Sequence, residues 1–230
     1  GEPFIMASAF LIDKQKGLFG SAKHFVGNES DGSCKIFFNG QVYSGFLVTV
    51  PAVTDVAIIK IDGSFDSSDF PDPYPLAGEA RPGEKVFIQG IHPHGLQFQK
   101  DQKIVSIFEK YYGIIGKKDE YVFDELEARV VKVARRIENN TIQGSSELLA
   151  AVSGNYIELK AEKDHGFSFA GLSGGSTINE QGELVGINAV ENPAYLEINQ
   201  TGLVYHPWVT LNLVSAEEIR KLFPRLEAIK

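Results

Sequence analysis

Asn39-Gly40, set between the apolar runs 35–38 and 42–50, narrows the fold more than any other feature of the chain. An Asn-Gly pair tolerates the positive φ angles of a type I′ turn, whose twist matches two antiparallel strands. Similar short apolar runs at 4–12, 18–26, 56–61 and 85–89 alternate with turn residues. Asp13-Lys14-Gln15-Lys16-Gly17 is one such turn, and the Gly, Asp, Ser and Pro-rich stretch 62–75 reads as loop. Six strands in under a hundred residues, with no helical pattern between them, predict a small antiparallel barrel. The 23 glycines suit a fold with many tight turns.

The second half repeats this style with larger insertions. Strands are expected at 104–108, 156–160, 176–178, 184–189, 202–205 and 209–213. Segment 119–153 supports two readings. Leu126, Val130, Val133 and Ile137 fall at helical spacing, whereas residues 128–133 also read as a strand. Near the end, Ser215 and Glu218 form a capping-box pattern, and Ile219, Leu222, Phe223 and Leu226 make one apolar stripe. A C-terminal helix packed on the second half is expected, with no appended module after it. No fixed-period repeat or flexible linker divides the chain.

Gly171-Leu172-Ser173-Gly174-Gly175-Ser176 carries the most chemistry. Glycines cost backbone entropy as filler, but they let a backbone approach a substrate and turn sharply. Such a turn would aim the N–H groups of Gly171 and Ser173 at one point, as a developing oxyanion requires. A serine hydroxyl needs a base, usually histidine, and the base needs an orienting carboxylate. The chain has five histidines, of which His24 follows an apolar strand, and Asp55 opens the strand 56–61. Taken singly, each residue has an ordinary explanation: a Gly/Ser hairpin loop, a structural histidine, a turn aspartate.

Taken together, the Ala22-Lys23-His24, Asp55-Val56-Ala57 and Gly171-Leu172-Ser173-Gly174-Gly175 motifs, in that order, resemble those of the chymotrypsin-like serine proteases. The resemblance implies an all-β chain of two antiparallel six-stranded β-barrels with a C-terminal helix. The first barrel, residues 1–100, would carry His24 and Asp55, and the second, 101–230, would carry Ser173. It implies a His24, Asp55, Ser173 triad, an oxyanion hole from Gly171 and Ser173, a polypeptide substrate, and no metal or organic cofactor. Ser8-Ala9-Phe10-Leu11-Ile12, the stretch 83–95 and Gly182-Glu183-Leu184-Val185-Gly186-Ile187-Asn188-Ala189 are similar to segments of the bacterial high-temperature-requirement (HtrA) subgroup. That likeness favours a periplasmic or secreted site, with the cytoplasm left open. In this family the specificity pocket would involve Phe167, Ala189, Val190 and Glu191. An aromatic Phe167 in place of a charge implies cleavage after small or medium apolar residues.

Three positions depart from the family pattern. Leu172 stands where digestive members have Asp, Ser176 replaces a usual Pro, and Lys23 and Phe25 flank His24 unusually. These departures leave room for a second reading, an inactive or latent protease-fold scaffold.

Other function classes fare worse. A net charge of −8 gives no basic face for nucleic acid, and Lys132, Arg135 and Arg136 sit among acidic neighbours. Cys34 is the only cysteine, so no intrachain disulfide forms, and its strand-like surroundings favour a structural thiol. No apolar run approaches the roughly 20 residues that span a bilayer. The start, Gly1-Glu2-Pro3, shows no signal-peptide pattern and fits a processed end. Gly-x-Ser-x-Gly also occurs in α/β-hydrolases, but that fold needs the acid and the histidine after the serine, and only His206 follows Ser173. His92 and His94 lack the further ligands of a zinc site and are expected in a turn. Oligomeric state is left open by the sequence.

Overall fold

The computed structural model describes residues 7–26, 32–38, 41–49, 54–92, 122–141, 148–162, 172–192, 195–199, 202–206 and 210–227. Almost all regular structure is strand. β1 (Phe10–Asp13), β2 (Leu18–Ser21), β3 (Ser33–Phe38), β4 (Gln41–Thr49) and β5 (Ala57–Ile61) form an open five-stranded sheet in the order β1-β2-β5-β4-β3. A helical turn, α1 (Lys23–Val26), follows β2. β3 and β4 pair antiparallel from Ser33↔Phe46 to Phe38↔Gln41, the register expected of a turn at residues 39–40.

The back half closes into a barrel. β6 (Lys85–His92), β7 (Val122–Thr141), β8 (Leu148–Ala161), β9 (Ser176–Asn179), β10 (Leu184–Asn192) and β13 (Thr210–Ser215) run in the order β10-β13-β8-β7-β6-β9. β11 (Tyr195–Asn199) and β12 (Gly202–His206) form a separate hairpin.

Two expectations are corrected here. Only one of the two anticipated six-stranded barrels is closed, because the front sheet of the described residues stays open at β1 and β3. β6, grouped with the front half by sequence order, belongs to the barrel, where β7 and β9 flank it. The ambiguous segment resolves into the β7–β8 hairpin. From Phe123 to Val130 its residues alternate exposed and buried, the period of a strand with one wet face. Leu126 and Val130 are an even number of positions apart and so satisfy both periods, while Val133 is 38% exposed. The expected strand at 104–108 lies outside the described residues.

Three apolar clusters hold the fold together. Val86, Ile88, Leu126, Val130, Ile157, Leu159 and Leu213 fill the barrel. Leu11, Phe19, Ile36, Ile59 and Ile61 form the front-sheet core, capped by Phe70 from the 62–75 loop. That loop holds one 3-10 turn, Ser67–Asp69, capped by the Asp66 carboxylate. Phe70 meets Phe19 edge-on at 5.7 Å and lies 4.9 Å from Phe38 between ring centroids.

The third cluster joins the halves: Phe10, Val56 and Ile58 from the front meet Leu184, Ile187 and Val214 from the barrel. The C-terminal stripe seals this seam through α2 (Ala216–Arg220) and α3 (Phe223–Glu227), with Ile219, Leu222 and Leu226 buried in it. The anticipated helix is therefore two short ones, and its capping box is not used. Ser215 makes no side-chain capping bond. Glu218 instead accepts from Asn155 N at 3.1 Å and from Lys221 Nζ at 2.9 Å. Among the described residues no helix is long and apolar enough to cross a membrane.

Candidate active site

Asp55 lies just before β5, where Val56 and Ile58 are driven into the seam, so its side chain is carried into the interior and is buried. A buried carboxylate needs donors for its lone pairs. The start of α1 supplies two. His24 N donates to Asp55 Oδ1 at 2.9 Å, and His24 Nδ1 lies 2.7 Å from Asp55 Oδ2. An ionised carboxylate only accepts, so it favours the tautomer with the proton on Nδ1, which in a neutral ring leaves the lone pair on Nε2. The ring itself is 31% exposed, so it meets both the interior and the solvent.

Ser173 arrives from the barrel. Leu172, fully buried in the barrel core, anchors the loop ahead of it. Gly174 then adopts φ +84°, and a Cβ there would lie 2.2 Å from Ser8 O, 2.4 Å from Ser21 Oγ and 2.9 Å from Ala22 N. The missing side chain thus lets the loop press against the residues immediately ahead of His24. Ser8 N donates to Ser173 O at 2.9 Å, and Ser21 Oγ donates to Ser8 O at 2.8 Å. Ser8 Oγ accepts from Ile91 N at 2.7 Å and so ties the same knot to β6.

The Gly174 loop thus packs on the segment that leads into His24, and His24 is bonded to Asp55. Ser173 Oγ donates to Ala189 O at 3.3 Å rather than to His24, a long contact for a hydroxyl. Ala189 is free to receive it because β10 bulges there: Asn188 pairs with Leu213 and Val190 with Asn212, leaving Ala189 out of the ladder.

A buried polar network backs the loop. Asn188 Nδ2 donates to Leu172 O at 3.1 Å and to Gln89 O at 2.8 Å, while its Oδ1 accepts from Thr177 Oγ1 at 2.7 Å. Its backbone N donates to Gly175 O at 2.9 Å, and its O accepts from Gly174 N at 2.7 Å. Ser176, the departure from a usual Pro, donates its hydroxyl to Gln89 Oε1 at 3.0 Å. Gln89 in turn accepts from Tyr74 OH and donates to Glu125. Sequence reasoning passed over Asn188, Gln89, Ser8 and Ser21. The one usable signal was a polar Asn inside the apolar strand 184–189.

Of the residues expected to line a specificity pocket, Ala189 buries its methyl in the seam and turns its carbonyl to Ser173. Val190 and Glu191 continue β10 in pairing with β13, and Phe167 lies outside the described residues, as does Gly171. His92 ends β6 opposite Val122 instead of sitting in a turn, and His94 falls outside the described residues. Among the described residues no group of three or more His, Cys, Asp or Glu side chains could hold a metal ion.

The sequence model of the trypsin-like peptidase domain matches residues 7–187. Among solved structures, the inactive form of the Rv3671c protease is similar, with a TM-score of 0.58 at 17% identity over 96% of this chain and 84% of that one. The active form of the Rv3671c protease from M. tuberculosis gives a TM-score of 0.61 at 16% identity, over 97% of this chain and 74% of that one. At these identities the likeness concerns the fold. No curated protein matches.

Proposed function

The chain belongs to the trypsin-like peptidase family, and from that premise we propose that it is a serine endopeptidase working through His24, Asp55 and Ser173. The observation that carries this reading is the two-point grip of Asp55 on His24, through ring and backbone at once. That grip fixes the tautomer with Nε2 as the acceptor, which is the form a general base requires.

In the proposed reaction a peptide binds at the seam, and the Ser173 hydroxyl leaves its weak bond to Ala189 O for Nε2 of His24. Oγ attacks the scissile carbonyl as His24 takes the proton. Asp55 stabilises the resulting imidazolium without itself becoming protonated. The N–H groups of Gly171 and Ser173 receive the oxyanion, each such donor contributing about 10²- to 10³-fold in rate. His24 then protonates the leaving amine, and water, deprotonated by the same ring, attacks the acyl carbon, whose bond to Oγ breaks as His24 returns the proton to Ser173. The chemistry draws only on the chain's own residues and water. An apolar side chain ahead of the cleaved bond, a place in the HtrA-like bacterial subgroup and a periplasmic or secreted site belong to the same proposal.

A second reading has one observation in its favour: the Ser173 hydroxyl is bonded to Ala189 O and not to His24. A latent or scaffold protein would keep it there. Treatment with a fluorophosphonate, followed by mapping of the modified residue, separates the two. Stoichiometric labelling of Ser173, abolished in Ser173→Ala, is expected of the peptidase. No labelling across the neutral and mildly alkaline range would leave the scaffold.

A further inference from the structure

We propose that Asn188 is a positioning residue that aims the oxyanion donor of this site, an inference that rests on the serine-peptidase reading of Ser173. In a planar trans peptide the C=O of one residue and the N–H of the next point in opposite directions. No cis peptide bond occurs among the described residues. The carbonyl of Leu172 and the N–H of Ser173 share one such plane, so whatever holds the first aims the second.

Two donors hold the Leu172 carbonyl: Gly175 N at 2.9 Å and Asn188 Nδ2 at 3.1 Å. Gly175 N comes from the loop itself and moves with it. Asn188 is anchored elsewhere, in the middle of β10, and is fully buried. Its amide cannot be flipped without loss, because both acceptors of Nδ2 are carbonyl oxygens and its Oδ1 receives the Thr177 hydroxyl. A Cβ on Gly175 would sit 2.2 Å from Gln89 O and 3.0 Å from Asn188 Nδ2, so a glycine there makes room for the clasp. Asn188 therefore ties the loop at Leu172, Gly174 and Gly175, on both sides of Ser173, to a strand of the barrel wall.

Asn188 touches no reacting atom in this account, so its effect falls on the rate of bond formation at Ser173 and not on the basicity of His24. The pH dependence of fluorophosphonate labelling separates the two, since its midpoint follows the base and its plateau follows the oxyanion site. Asn188→Leu keeps the number and branching of the side-chain heavy atoms, adds no charge, and removes the amide's donors together with its acceptor. Its plateau is expected to fall at least about tenfold, on the scale of a misaimed oxyanion donor, with the midpoint unchanged and folding verified by circular dichroism.

Thr177 supplies a milder pair that keeps the inference testable should Asn188→Leu fail to fold. Thr177→Val, which frees Asn188 Oδ1, is expected to lower the plateau several-fold, and Thr177→Ser to restore it. A folded Asn188→Leu with a wild-type plateau, a midpoint that moves with the plateau, or Thr177→Val and Thr177→Ser that behave alike would each overturn the inference. Absence of labelling in the wild-type protein would instead remove the peptidase reading itself, and this inference with it.

Discussion

Asp55 holds His24 with both of its oxygens, Oδ2 on the ring Nδ1 at 2.7 Å and Oδ1 on the backbone N–H at 2.9 Å. One side chain thus fixes the position of the helical turn and the tautomer of the ring it carries. Only an acceptor at both oxygens can do this, and only a carboxylate is one.

Asp55→Asn is therefore expected to disable the site while leaving it assembled. The amide has one oxygen for two donors, so either the backbone N–H or the ring must face an NH₂ group. The ring escapes by moving its proton to Nε2 and ceases to be a base. Peptidase kcat should fall about 10⁴-fold, the loss typical of this replacement in a triad, with near-native circular dichroism. A variant retaining more than a tenth of wild-type kcat would disprove the orienting role.

Gly174 and Gly63 separate steric closeness from backbone strain. Both have positive φ, +84° and +89°. A Cβ at Gly174 would meet Ser8 O at 2.2 Å, whereas one at Gly63 meets nothing within 4 Å. Gly63→Ala is expected to cost about 1 kcal/mol in urea unfolding, from strain alone. Gly174→Ala should cost at least about 2 kcal/mol more, because backbone atoms must separate, and should lose labelling at Ser173. Equal costs would mean that the Gly174 loop does not press on the Ser8 and Ser21 segment.

The Cys34 thiol gives a pH signature with a definite sign. Burial raises its pKa above the ordinary 9.0, opposed in part by the neighbouring Lys35 ammonium. In the window between 9.0 and the raised value the unfolded chain has lost a proton that the folded chain keeps. Stability contributed by this group is therefore full below that window and declines as pH rises through it. Urea midpoints measured from about pH 8 to about pH 10 should fall more steeply for the wild type than for Cys34→Ala. Parallel slopes would refute it.

Much of this molecule was written locally. The pairing of β3 with β4 follows from a two-residue turn signal and the runs beside it, and the two strands meet in the expected register. Likewise His24, Asp55 and Ser173 each sit in a short motif that can be read without knowing what lies across the fold. The C-terminal stripe at Ile219, Leu222 and Leu226 buries as its spacing demands.

What remained was decided by distant partners. β6 joined the barrel because its neighbours are β7 and β9, which sequence order does not reveal. Leu126 and Val130 fit a helix and a strand equally well until β6 paired with the first, at Ile88, and β8 with the second, at Leu159. Glu218 abandoned a local capping box for Asn155, 63 residues away. Asn188 acquired its role from Gln89, at a separation of 99 residues, and from Leu172, at 16. Turn geometry, apolar periodicity and motif chemistry depend on neighbours along the chain, so they are present in the sequence alone. Hydrogen bonds satisfied in a buried seam depend on which surfaces meet there, and only the packed structure determines that.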